Sequence, residues 1–259
     1  MGGNLYLHEK LRRKVVVDCI IETEEPLHVG VGKETLGVSE VDSPTMVDSN
    51  DKPIIPGSSI KGALRAHITR LLLSLDESTC EVKFGVARVT AGEETLNKFQ
   101  RADIQEKMEI FRELGVIDKL FGVSGYASPL RITDATLTTE TRLTERTHVQ
   151  IDIETDRAKE GRLFSVQAVP EKRKFGFKLV FDEPGDDVIA DVSAVFYGLL
   201  LKQLSSGLEL FLGGMKSRGY GFCTIKAKQV VSYSPEDLAL GETPEPIRNI
   251  SEFINSMIK

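Results

Sequence analysis

The chain has 259 residues, 41% of them hydrophobic and 28% charged, with a formal net charge of −6. One large core or two small ones fit that length. The acidic balance argues against a surface that binds polyanions all over, and leaves room for a local basic groove. The three cysteines, Cys19, Cys80 and Cys223, share no close spacing, so free thiols in a reducing setting are expected. No stretch reaches about 18 uninterrupted apolar residues. The N-terminal charges at Glu9, Lys10, Arg12, Arg13 and Lys14 leave no apolar leader core. A cytoplasmic chain with no membrane contact is the expectation.

In chain order, Met1–Leu11 reads as a loose arm. Lys14–Glu24 alternates as a strand and ends at Pro26–Gly32, where glycines spaced by one residue (Gly30, Gly32) allow a close approach to a ligand. Lys33–Val47 is a loop carrying Asp42-Ser43-Pro44. The pre-proline serine is held extended, so Asp42 is either presented on a rigid ledge or closes an Asx-turn. Pro56-Gly57 is a turn, and Ser58 is the expected N-cap of a helix with Ile60, Leu64, Ile68, Leu71, Leu72 and Leu75 on one stripe. Lys61 and Arg65 stand one turn apart where cations oppose the helix dipole. Together with the N–H groups of Gly57, Ser58 and Ser59 they fit an anion docked at the helix start. A capped core helix with two solvated basic residues fits equally.

Residues 76–119 read as a helical, solvated insertion, with one helix over Thr95–Leu114. Leu130–Leu137 reads as a strand and Thr138–Val169 as a long hairpin with a basic tip. Phe175–Phe181 is a further strand and Val188–Leu208 a second long helix. Gly213–Gly221 then interleaves glycines with Lys216, Arg218 and Tyr220. Such a loop suits a ribose-phosphate chain: the backbone approaches closely, cations meet phosphates, and an aromatic ring stacks on a base. It lacks the order of a P-loop. The strand Phe222–Val231 follows, then a tail over 233–259 with a short amphipathic end. The order of elements predicts an α+β, ferredoxin-like βαββαβ sheet.

Three stretches together resemble the RAMP superfamily of CRISPR proteins: Pro26–Gly32, Asp42–Pro44 with Ile55–Arg65, and Gly213–Gly221. Within it the chain is most similar to the repeated backbone subunit of type III effector complexes, the third subunit of Csm complexes. The Leu120-Phe121-Gly122 element and Arg131 with Asp134-Ala135 also fit. The resemblance implies a palm over 14–232 with a finger-like insertion at 76–119 and a thumb-like hairpin at 138–169. It implies copies stacked along a guide CRISPR RNA beside other type III subunits, and cleavage of complementary single-stranded target RNA at regular intervals. Asp42 matches the family's catalytic aspartate, in a reaction dependent on Mg²⁺ or another divalent cation. His28, Gly57, Ser58, Ser59, Lys61, Arg65, Gly214, Lys216, Arg218 and Gly219 match positions that hold RNA. No protein metal site is expected, and no structural zinc, because the insertion holds only Cys80. Other readings are a non-catalytic scaffold, a guide-processing nuclease using His28, and a small-molecule nucleotide enzyme.

Overall fold

A computed structural model describes residues 10–31, 42–151, 158–185 and 190–258, with the side chains of 150, 151 and 158–162 left aside. The expected N-terminal arm, Gly32, most of the loop 33–41 and the tip of the hairpin at 152–157 lie outside the described residues.

The central strand is β1 (Leu11–Thr23). Its odd-numbered residues Val15, Val17, Cys19 and Ile21 are buried and its even-numbered ones half-buried, the alternation of a sheet with one covered face. It pairs antiparallel with both β7 (Lys174–Pro184) and β9 (Phe222–Tyr233). The short strands β2 (Ile54–Ile55), β3 (Leu130–Ile132), β4 (Ala135–Leu137) and β8 (Leu208–Phe211) complete the sheet. The order is β2-β4-β7-β1-β9-β8, with β3 also on β7, so β8 is an edge strand. On the less covered face, register partners Asp18 and Lys178 meet at 2.8 Å, and Glu22 and Lys174 at 3.5 Å. A second, two-stranded sheet is the expected hairpin, β5 (Thr144–Ile151) with β6 (Ala158–Ala168).

Helix α1 (Gly57–Ser74) buries Gly57, Ile60, Leu64, Ile68 and Leu72 in the main core. Its N-cap is Pro56, not Ser58, which lies inside the first turn. The expected strand over Leu130–Leu137 is broken into β3 and β4 at Thr133-Asp134, and the Asp134 carboxylate accepts the Gly57 N–H at 2.8 Å. One side chain thus ends a strand and starts a helix.

The insertion forms α2 (Glu77–Phe84), α3 (Glu93–Arg101), α4 (Ile104–Phe111) and α5 (Val116–Phe121). The single helix expected over Thr95–Leu114 is two, because Asp103 caps α4 through the N–H groups of Gln105 and Glu106. Nor is the insertion merely solvated. Phe99 and Phe111 are buried against each other at 6.5 Å, and every residue of α5 is buried. The expected second long helix runs from α6 (Ala190–Val195) through a π turn (Phe196–Leu201) into α7 (Lys202–Ser206). In the tail, α8 (Pro235–Leu240) starts at a Ser234 cap, and α9 (Ile250–Met257) docks on the body through buried Ile254 and the Phe253 ring, edge-on to Tyr197 at 5.9 Å. Among the described residues no helix is long and apolar enough to cross a membrane.

Candidate nucleic-acid interface

The Pro26–Val31 loop and the glycine loop are clamped together by their backbones. Gly214 N–H donates to the His28 carbonyl at 2.9 Å and Gly221 N–H to that of Pro26 at 2.8 Å. Gly213 has φ +71°, and a Cβ there would stand 2.2 Å from the His28 carbonyl oxygen, so both conformation and space demand glycine. The clamp pushes Lys216–Arg218 outward as an exposed 3-10 turn ending at Gly219, with φ +76° and open space around it.

His28 is buried. Its Nδ1 lies 2.8 Å from the Gln167 carbonyl, which only accepts, so Nδ1 carries the proton. The imidazole therefore ties the loop to strand β6 of the hairpin. On the same strand, Asp42 Oδ2 accepts the Ser165 N–H at 2.8 Å. Ser43 N–H donates to Ser165 O at 3.1 Å, and Gln167 N–H to Ser43 O at 3.0 Å. Residues 42–45 thus run as a further strand along β6, and the exposed Asp42 stands at its start with Oδ1 left over among the described residues. Of the two sequence readings for Asp42, the ledge is the geometry found. The Asx-turn belongs to Asp48, whose Oδ1 accepts the N–H groups of Asn50 and Lys52 and whose carboxyl is thereby held below the usual range.

The hairpin also grips the glycine loop through side chains that sequence reasoning missed. Buried Tyr220 shares a 2.7 Å hydrogen bond between its hydroxyl and His148 Nε2. The imidazole stacks on Phe164 at 5.4 Å, and the Arg218 guanidinium covers that ring at 5.6 Å. Arg146 lies over Tyr220 at 5.8 Å. The available signal was the hairpin register, which sets His148 opposite Phe164.

At the start of α1 the expected N–H cluster is largely engaged. Gly57 donates to Asp134, Ser59 donates to Pro56 O at 2.9 Å, and Ser58 keeps a free N–H among the described residues. Lys61 Nζ donates to Leu130 O at 2.9 Å, and burial, with the neighbouring Arg65, pushes its pKa down. Arg65 donates to Gly122 O at 2.8 Å and to Asp118 Oδ1 at 2.9 Å. Both cations brace the insertion, while Lys61 keeps two and Arg65 three N–H groups beyond these bonds.

Residues step by about 100° around a helix, so Lys61 and Arg65 lie on one flank of the buried stripe, and Ala63, Ala66 and Arg70 on the other. That second flank, not the first, faces the glycine loop. Ala63, Ala66, Arg70, Phe211, Lys216 and Phe222 line a groove of about 660 Å³ between them. The helix and the loop are thus brought to one groove, while the side chains of Lys61 and Arg65 point away from it. Arg70 was not anticipated from sequence.

A family model described as the RAMP superfamily matches residues 20–224. The chain belongs to the RAMP superfamily. The matched span holds every residue of the two clamped loops, the Asp42 ledge and the start of α1, and leaves the tail with α8 and α9 outside. Three curated RAMP relatives carry the name CRISPR system Cms endoribonuclease Csm3. The protein from Methanocaldococcus jannaschii is 30% identical over 82% of this chain and 78% of its own length. That from Mycobacterium tuberculosis is 27% identical over 79% and 84%, and that from Streptococcus thermophilus 24% over 80% and 85%.

Among the described residues no three acidic, histidine or cysteine side chains converge as metal ligands. Asp42 offers one carboxylate with one oxygen uncommitted. That suits a divalent cation which keeps waters and takes further ligands from a phosphate chain, and does not suit a protein-built cage.

Proposed function

We propose that this protein is a Csm3-like backbone subunit of a type III CRISPR ribonucleoprotein, binding guide RNA and cutting the paired target RNA beside Asp42. The observation that carries the reading is the joint anchoring of the Asp42 ledge, the His28 loop and the hairpin on β6, with the cationic glycine loop clamped to the same assembly. A carboxylate, a protruding hairpin and a cationic loop thereby hold fixed relative positions. The names of the three relatives support the activity. The strand order β9-β1-β7-β4 with helices in the two crossovers supports a ferredoxin-like palm over 14–232, with 76–119 as fingers, 138–169 as thumb and 233–259 as a tail.

The chemistry asks little of the chain beyond position. A ribose 2′-hydroxyl in line with its own phosphate can attack it once the hydroxyl proton is accepted. Asp42 accepts that proton, or holds it through a water. A divalent cation held by Asp42 and the phosphate would neutralise charge on the phosphorus oxygens. The thumb would splay a target nucleotide so that this alignment is reached. Lys216 and Arg218 would hold guide phosphates, Gly214 and Gly219 would let the strand come close, and His28 would fix the loop beneath it. Ser58 N–H and the remaining donors of Lys61 and Arg65 would meet phosphate at the helix start, with Gly57 and Ser59 shaping the turn. Copies of the chain would stack along the guide with other type III subunits, in the cytoplasm.

The scaffold reading has one observation in its favour: Asp42 already serves Ser165 as an acceptor, which is a structural task. Reconstitution with guide RNA and partner subunits decides. Asp42→Asn should abolish target cleavage in Mg²⁺ while guide and target binding persist, and EDTA should stop the unsubstituted complex. Cleavage that survives Asp42→Asn, or an unsubstituted complex that binds and never cuts, makes Asp42 structural.

A further inference from the structure

The groove between α1 and the edge strand β8 has a composition that the reading above does not use. Its two cations, Arg70 and Lys216, are exposed, and neither makes an ion pair or side-chain hydrogen bond among the described residues. That separates them from Lys61 and Arg65, whose heads are engaged by protein carbonyls and Asp118. The floor on α1 is Ala63 and Ala66, small enough to let a strand lie close. The far wall carries Phe211, 44% exposed, with Phe222 beside it at a ring separation of 5.2 Å. Glu209 is the one carboxylate of the described lining.

Free cations facing an exposed aromatic pair across a narrow floor is the arrangement that holds single-stranded nucleic acid without sequence preference: phosphates on the cations, a base on the ring. A protein strand added to the β8 edge is the competing occupant, but an apolar peptide gains nothing from two unpaired cations. We infer that this groove is a nucleotide-binding subsite for single-stranded RNA, with Phe211 as the stacking surface and Arg70 and Lys216 as phosphate contacts. It rests on the RNA reading above and adds a position on the flank of α1 opposite Lys61 and Arg65. Phe211 bears on no reacting atom in this assignment. It sets where a base sits.

The test uses the full-length protein and a fluorescent uridine oligonucleotide, beside an abasic strand of equal length. Phe211→Ala should weaken binding of the uridine strand about tenfold and leave the abasic strand unchanged, and Phe211→Trp should restore it. Arg70→Ala with Lys216→Ala should weaken both strands and flatten the slope of log affinity against log salt by about 1.4, at roughly 0.7 per phosphate lost. Unsubstituted protein that binds the oligonucleotide, with both variants indistinguishable from it, overturns the subsite and leaves the RNA reading standing. Unsubstituted protein that binds no RNA at all overturns both. Unchanged RNA binding with altered self-association by light scattering overturns the subsite and assigns the groove to contact between copies.

Discussion

Arg65→Ala separates a brace from a phosphate contact at the position where sequence and structure pull apart. The substitution removes the donor to Gly122 O at 2.8 Å and the partner of Asp118 at 2.9 Å. The Asp118 side chain is 2% exposed and would keep the N–H groups of Ala91 at 2.6 Å and Gly115 at 3.2 Å. Breaking a fully buried ion pair costs about 3–5 kcal/mol. Arg65 is 37% exposed and the orphaned carboxylate retains two donors, so screening lowers the expected loss to about 2 kcal/mol. For a chain of this size that is roughly a 4–8 °C drop in the thermal midpoint. Thermal and urea unfolding measure it, with RNA affinity recorded well below the transition. An unchanged midpoint together with lost RNA affinity would refute the brace and make the guanidinium a phosphate ligand.

Gly213→Ala should cost about 1–3 kcal/mol in urea unfolding, because the new Cβ meets a backbone oxygen at a positive φ and neither can yield cheaply; stability equal to the unsubstituted chain would mean the two loops are not clamped. Tyr220→Phe should lose about 1 kcal/mol and raise proteolytic cutting of the β5–β6 hairpin, since His148 Nε2 loses its 2.7 Å partner; unchanged protease sensitivity would place the anchoring elsewhere. Burial pushes Cys19 and Cys223 up to about 12. Roughly one such thiol in ten thousand is ionised at pH about 8, so both should resist a thiol reagent until urea unfolds the chain.

The long periodic elements were legible because their pattern is local. Alternation along β1 and the α1 stripe follow from periods of about 2 and 3.6 residues, whatever the partner. The Asp42–Pro44 segment and the two glycine loops could be singled out because proline and glycine restrict the backbone at the residue itself. Short elements could not be read. Strands β2, β3, β4 and β8 hold two to four residues each, too few for a period to show, and they exist through pairing with distant strands. The division of Thr95–Leu114 into two helices turned on the Asp103 cap, a signal present in the sequence and outweighed by helical spacing on either side.

What the amino-acid sequence determined by itself is the set of parts: the family motifs, the core-forming stripes, the backbone positions that only glycine fills, and the candidate carboxylate. What the tertiary structure decided is which cations are free. Lys61 and Arg65 read as solvent-facing from their helical spacing, yet fold against Leu130, Gly122 and Asp118, residues 53 to 69 positions away. Arg70 reads as an unremarkable surface residue and faces Lys216 across a groove. A charged side chain's availability depends on the acceptors that long-range packing brings within about 3 Å, and no local pattern encodes those.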